Sequence, residues 1–243
     1  MTTPPPPPGT PPPPPPPPSP SGGAGFGTPV GPTGRISAAI AQRPQTDYLF
    51  EGPGLNIFLT IITCGIFGWY LFYQLMRRDR DHLRRRYELL DAANTYAWDQ
   101  ASQRGFADEL RPAFERIAAN LGILQVQTRE FRDPGIWLLI AILTGIAQIV
   151  GYVFIDQDLD TQERAEGAIE AELVEIYARL GVTLPAPDPS RIKGKHNYAA
   201  RIIVSIVTCG VYTYWWLYNL MVEGNQHVEQ SWPFEDALAA GVA

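Results

Sequence analysis

Three histidines, two cysteines and a few acids are the side chains of this 243-residue chain whose type and spacing suggest chemistry. His82 and His227 each follow an apolar stretch by about one and a half helical turns, beside Asp81 and Gln226. Asp91 and Asp236 each lie nine residues further on. These four are the interfacial polar candidates. One reading is contact with headgroups or a partner, and another is a pH-sensitive or metal site formed between the two stretches. The simplest is the solvated face of an interfacial helix, and that is the reading adopted. His196, within Lys193-Gly194-Lys195-His196, reads as loop electrostatics toward anionic lipid.

Cys64 and Cys209 sit within Thr63-Cys64-Gly65 and Thr208-Cys209-Gly210, both in apolar surroundings. Two thiolates are too few ligands for a closed metal site, and the nearest histidine is more than fifteen residues away. Small residues at mid-segment permit close approach of helices, so both triplets are assigned as helix-packing motifs. There is no HExxH, no GxSxG elbow and no P-loop, and the glycines of 22–31 follow prolines rather than a strand. No catalytic, cofactor-binding or metal residue is assigned, and the chain is not expected to be an enzyme.

Three charge-free stretches must position these residues: Gly52–Met76, Pro134–Ile155 and Ile202–Val222. A bilayer core takes about 20 apolar residues to cross. Spans are therefore predicted at 55–76, 135–155 and 202–222. The expected fold is all-α, a multi-pass membrane protein with three transmembrane helices and amphipathic helices at the interface. Aromatics at the end of the first stretch, followed by six arginines between Arg77 and Arg86, mark a membrane–water boundary. Residues 77–122 read as two amphipathic helices, one with Leu83, Tyr87, Leu90 and Ala97 on a face, the other with Phe106, Leu110, Phe114, Ile117 and Leu121. Gly105 and Gly122 are the expected breaks. A further helix puts Ile169, Leu173, Ile176 and Leu180 on one face, with Glu163, Glu166, Glu170, Glu172 and Glu175 mostly off it.

Residues 1–34 hold 16 of the 24 prolines and read as a disordered polyproline and Gly/Ser tail with almost nothing to bury. That tail has no basic or apolar region of a secretory signal, so the first apolar stretch is expected to act as an uncleaved anchor. The remaining divisions are a first repeat at 35–133, a middle span with its acidic helix at 134–190, and a second repeat at 191–243. A net charge of −6 with no basic stripe argues against nucleic acid. Two cysteines cannot build a disulfide framework.

The first and third stretches superimpose at an offset of 145, with eight of 21 positions identical from Asn56–Met76 against Arg201–Met221. The register carries on through His82 with His227, Tyr87 with Trp232, and Asp91-Ala92 with Asp236-Ala237. This pattern reads as an internal duplication, with Leu143-Thr144-Gly145-Ile146 a diverged relative. The motif Ile-Thr-Cys-Gly-Ile-Phe-x-Trp-Tyr resembles a family of short bacterial integral membrane domains, catalogued as domain of unknown function four-two-three-four. The resemblance covers Asn56–Ala93 and Arg201–Ala240. It implies a membrane location and carries no activity.

Arginine and lysine number 11 in 77–133 and six in 156–201, with two before the first stretch. The positive-inside bias favours an outside N-terminus by only 11 against eight, so orientation is left open. The basic run before the third stretch would suit a middle segment that re-enters. Three spans are preferred because they leave the polar ends of both repeats on one side. The expected function is a non-enzymatic interaction or scaffold component of the bacterial cell membrane. The alternative is a small oligomeric transporter, channel or lipid-handling subunit, although no Asp, Glu, Lys, Arg or His lies within the apolar stretches, where coupled transporters usually keep one. The expected partners are the lipid bilayer, a second copy in a homo-oligomer, and a membrane or cytoplasmic protein engaged through the tail or the interfacial helices.

Overall fold

Each charge-free stretch breaks near its centre. In the computed structural model, which describes residues 31–129, 133–191 and 196–242, the first stretch is α3 (Pro53–Ile62) turning at Thr63-Cys64-Gly65 into α4 (Ile66–Gln103). The second is α6 (Pro134–Thr144) turning at Gly145 into α7 (Ile146–Arg179). The third is α8 (Tyr198–Val207) turning at Thr208-Cys209-Gly210 into α9 (Val211–Val242). All the regular structure among the described residues is helical. No helix among them is long and apolar enough to cross a membrane. The spans expected at 55–76, 135–155 and 202–222 are corrected to three helical hairpins.

The breaks come from backbone conformation. Cys64 and Gly65 both take positive φ, at 51° and 91°, and Cys209 and Gly210 repeat this at 49° and 88°. Two consecutive left-handed residues end a right-handed helix and reverse the chain. Glycine tolerates this freely. In the first hairpin the arms then close at Gly68, where a Cβ would stand 2.8 Å from Thr60 Cγ2.

The three long helices share one direction. From their N-terminal ends at the hairpin turns, α4, α7 and α9 pass first through an apolar cluster built around Phe72, Leu75, Tyr152, Ile155, Trp216 and Leu220. Next comes a layer of buried charge at 78–86, 156–170 and 223–235. They end in a second apolar cluster around Leu89, Leu90, Ile169, Leu173, Phe234 and Leu238. The three turns therefore lie together at one end of the molecule. Gly151 lets α7 meet α4 there, since a Cβ at that position would overlap the Phe72 ring at 2.4 Å.

At the opposite end α5 (Arg111–Arg129) packs back along α4 and α7, burying Phe114, Ile117, Leu121 and Leu124. The predicted apolar faces of 77–122 are thus core, but Gly122 does not interrupt its helix and the first of the two helices is continuous with the arm before it. Short helices α1 (Pro32–Ala41) and α2 (Arg43–Thr46) precede the first hairpin. The former docks on α4 and α9 through Ile36 and Ala39. The expected tail lies outside the described residues up to residue 30, and its last residues, 32–34, open α1.

Candidate functional site

Two features bear on function, the hairpin tips and the buried charge layer behind them. At the tips large apolar side chains face outward: Ile66 is 65% exposed, Leu143 74% and Val207 75%, among neighbours such as Phe58, Ile62, Ile146, Ile206 and Val211. An exposed apolar surface of this kind marks a place of contact rather than a solvated face.

The turns at those tips satisfy their own backbone. Thr63 N–H donates to Leu59 C=O at 3.1 Å, Cys64 N–H to Ile61 C=O at 3.1 Å, Gly65 N–H to Thr60 C=O at 2.8 Å and Ile66 N–H to Thr63 C=O at 3.2 Å. Phe67 N–H donates to Thr63 Oγ1 at 3.1 Å, while that hydroxyl donates to Leu59 C=O at 2.7 Å. The second turn repeats the pattern 145 residues on. Thr208, Cys209, Gly210 and Val211 N–H donate to Val204, Ile206, Ser205 and Thr208 C=O, and Tyr212 N–H donates to Thr208 Oγ1 at 3.0 Å. Thr60 and Ser205 hydroxyls turn back onto Asn56 and Arg201 C=O at 2.8 Å each. Thr63, Cys64, Gly65, Thr208, Cys209 and Gly210, expected to pack helix on helix, form these turns instead, with both thiols free and exposed.

Behind the apolar cluster, charge is buried wholesale. Arg86 is fully enclosed and donates to Glu166 Oε2 at 3.1 Å and to Glu235 Oε1 at 3.0 Å, with a short bond to Glu170. Arg85 donates to Asp47 at 2.7 Å and to Glu235 Oε2 at 2.9 Å. Arg43 reaches Glu235 and Asp236, both at 2.8 Å. In this network four buried carboxylates, those of Asp47, Glu166, Glu170 and Glu235, meet the three guanidiniums of Arg43, Arg85 and Arg86, Asp236 joins at the exposed side of Arg43, and Glu163 stands 3.6 Å from His227.

The electrostatics follow from burial set against charge. Burial alone would lower the Arg86 pKa, but Glu166, Glu170 and Glu235 outweigh it and raise it above the ordinary value. For Glu235 burial pushes upward, and Arg86 and Arg85 pull the carboxyl below its usual range. Asp47 behaves alike: burial opposes, and His82, Arg85 and Trp232 hold it well below the usual carboxylate range. Arg78 lacks such company, so burial lowers it to about 10 against the pull of Asp79 and Asp47.

Of the six boundary arginines, Arg85 and Arg86 are thus internal counter-ions, Arg78 is buried against Leu220 C=O and Asn225 Oδ1, and Arg77 and Arg84 are exposed. Glu163, Glu166 and Glu170, expected off the apolar face, lie on the buried side of α7 beside Ile169 and Leu173. At about 100° per residue these five positions span an arc of roughly 120°, a single broad face.

His82 and His227 depart from the solvated-face reading. Both are 2% exposed, and their ring centroids stand 5.2 Å apart in a T-shaped contact. Asp91 and Asp236 receive separate partners, Arg35 and Arg43. His196 sits in a second cluster, where Asp156 accepts from its Nδ1 at 2.8 Å, from Arg201 at 2.5 Å and from Trp216 Nε1 at 3.3 Å. Two groups carry metal-ligating atoms in proximity, His82–Glu166–His227 and Asp156–His196–Glu223.

Sequence reasoning missed Asp47, Arg85, Arg86, Glu166 and Glu235. One signal was present. Leu75, Arg78, His82, Arg85 and Leu89 recur at three- and four-residue spacing, so these charges share a stripe with core leucines. A family described as a domain of unknown function, DUF4234, matches residues 196–236. The match takes in α8, the second Thr-Cys-Gly turn and His227. No curated protein and no solved structure matches the chain.

Proposed function

We propose that this chain is a one-sided membrane anchor, a non-enzymatic interaction or scaffold component of the bacterial cell membrane. Its three hairpin tips embed in one leaflet and hold the charged body against the surface. The observation that carries this reading is the apolar surface at the tips, where Ile66, Leu143 and Val207 are 65%, 74% and 75% exposed. The two outer turns suit hydrocarbon as well, because the N–H groups from Thr63 to Phe67 and from Thr208 to Tyr212 are paired locally, and each unsatisfied group there would cost several kcal/mol. An arm of ten residues, such as α3 or α8, is about 15 Å long, half of a hydrocarbon core of about 30 Å.

The reading also removes a conflict in the charge pattern. Hairpins return the chain to the side it came from, so the basic runs at 77–86 and 191–201 and both histidines share one compartment. Tyr73 and Tyr218 on the returning arms, each about 12 Å from its turn, come near the outer edge of such a leaflet, where amphipathic rings are favoured. The recurrence of the turn at an offset of 145 supports the two outer hairpins as copies of one unit.

The two native cysteines, the only ones in the chain, provide the test. An environment-sensitive fluorophore on Cys64 or Cys209 in the full-length protein, reconstituted in phospholipid vesicles, should be quenched by spin labels within the acyl chains and shielded from aqueous iodide. Cysteines introduced at Arg104, Asp188 and Ala240 of a Cys64→Ala/Cys209→Ala protein should then all react with an impermeant reagent from the same side. Iodide access at both tips would refute insertion. Opposite sides for Arg104 and Asp188 would restore three spans.

A further inference from the structure

We infer that His82, Glu166 and His227 bind one divalent transition-metal ion, Zn²⁺ by ligand type, at the junction of the apolar bundle and the charged body. The three side chains come from α4, α7 and α9, are all buried, and each offers one ligand atom within 4.8 Å of the others. Two imidazoles and a carboxylate form a ligand set that zinc accepts while keeping a fourth position for water. Around a tetrahedral zinc, ligand atoms stand about 3.3 Å apart, so shifts of about an ångström close the set.

The surroundings prepare these atoms for a cation. Asp47 Oδ1 lies 2.9 Å from His82 Nδ1, and a carboxylate only accepts, so Nδ1 carries the proton and Nε2 keeps its lone pair. That Nε2 is buried and has no hydrogen-bond partner among the described residues. An imidazole steered by a carboxylate on its far nitrogen is the usual arrangement behind a metal-bound histidine. Glu163 stands in a comparable place behind His227, with Oε1 3.6 Å from Nδ1. Glu166 accepts from Arg86 through Oε2 at 3.1 Å and from Gln162 through Oε1 at 2.7 Å, which hold its carboxylate in place among the three ligand atoms.

A cavity of about 20 Å³, room for one water, adjoins both rings. Arg78 and Asp79 line it as well, and the Arg78 guanidinium is held by Leu220 C=O at 3.2 Å and Asn225 Oδ1 at 2.8 Å. The excess of carboxylate over guanidinium in the surrounding network favours a dication. The Asp156–His196–Glu223 group differs because Arg201 and Trp216 already occupy Asp156.

The test uses the full-length protein, purified in mild detergent without chelator, with Zn²⁺ and Co²⁺ as probes. Expected are one zinc per chain, visible d–d absorption on Co²⁺ substitution, and a Tm that falls with a chelator and recovers with Zn²⁺. His82→Gln and His227→Gln should each weaken binding at least tenfold, and Asp47→Asn by about 10–100-fold. His196→Gln should leave it unchanged. Should the ligand variants fail to fold, the wild-type Tm with and without chelator decides. The inference fails if wild-type protein takes up neither ion and its Tm ignores the chelator. It fails equally if binding survives the His82 and His227 variants or disappears with His196→Gln.

Discussion

The hairpin tips and the charge layer solve opposite problems with opposite reach. At the two outer tips, each N–H from Thr63 to Phe67 and from Thr208 to Tyr212 is satisfied within about five residues, by a carbonyl about one turn back or by the threonine hydroxyl. In the layer, the charges around Arg85 and Arg86 find their counterparts far along the chain. Arg85 pairs with a residue 38 positions away, Arg86 with ones 80 to 149 away, and Arg43 with Glu235 across 192. The tip draws its N–H partners from its own hairpin. The layer exists only once α4, α7 and α9 have assembled, and it then commits them to one register, since a misplaced helix would leave charge buried without a partner.

The contrast is broken most severely at Arg86. Replacing it with Met leaves Glu166, Glu170 and Glu235 enclosed around an apolar group, with an expected loss of about 3–5 kcal/mol in denaturant unfolding. Tip substitutions should spare that stability and change membrane partition instead. A charge at Ile206 or Leu143 is expected to cost about 2.5–3.5 kcal/mol of insertion, near a hundredfold in vesicle binding, with helical content unchanged. Thr63→Val or Thr208→Val removes one N–H acceptor from a turn and should cost about 1 kcal/mol in stability. Loss of stability in the Ile206 variant, or of vesicle binding in the Arg86 variant under conditions where it remains folded, would merge the two regions into one.

Titration separates them again. Glu235 is held below its ordinary value, so its contribution is present above the unfolded-state value of about 4.5 and is lost as pH falls through the lower folded-state value. Thermal stability should therefore decline below about pH 4.5, and Glu235→Gln should flatten part of that decline. The tips carry no carboxylate or histidine, so below neutral pH the turn variants should show the same profile as wild type. The smallest effect is expected at Cys64. Cys64→Gly relieves a left-handed conformation that costs about 1–2 kcal/mol for an L-residue, partly offset by the greater backbone freedom of glycine in the unfolded chain, and the net change in Tm should be an increase of a few degrees.

The same difference in reach explains how far the sequence could be read. Helical class, the three apolar stretches, the faces of Leu83–Ala97 and Phe106–Leu121 and the recurrence of Thr-Cys-Gly are short-range patterns, and each has a place in the structure. The spans were misplaced because an apolar run carries no record of where its helix reverses. The positive φ at Cys64 occurs at a residue type that usually avoids it, whereas a water-exposed turn would show Asn or Gly. The charge layer was hidden for another reason. Whether Arg86 faces solvent or three carboxylates depends on which helix lies beside α4, and α4 alone does not say. His82 and His227 were found by their shared offset, but their contact and burial required the assembled bundle.

One feature of α4 reaches beyond both regions. From Ile66 to Gln103 it is a single unbroken helix of 38 residues, about 57 Å long, with a hairpin arm at one end and the α5 corner at the other. Because α4 is packed against α1, α5, α7 and α9, it tilts only with the whole body. A tilt of about 10° about the hairpin end swings the far end through about 10 Å, so a small change of attitude at the tips is delivered, amplified, to the surface most distant from them.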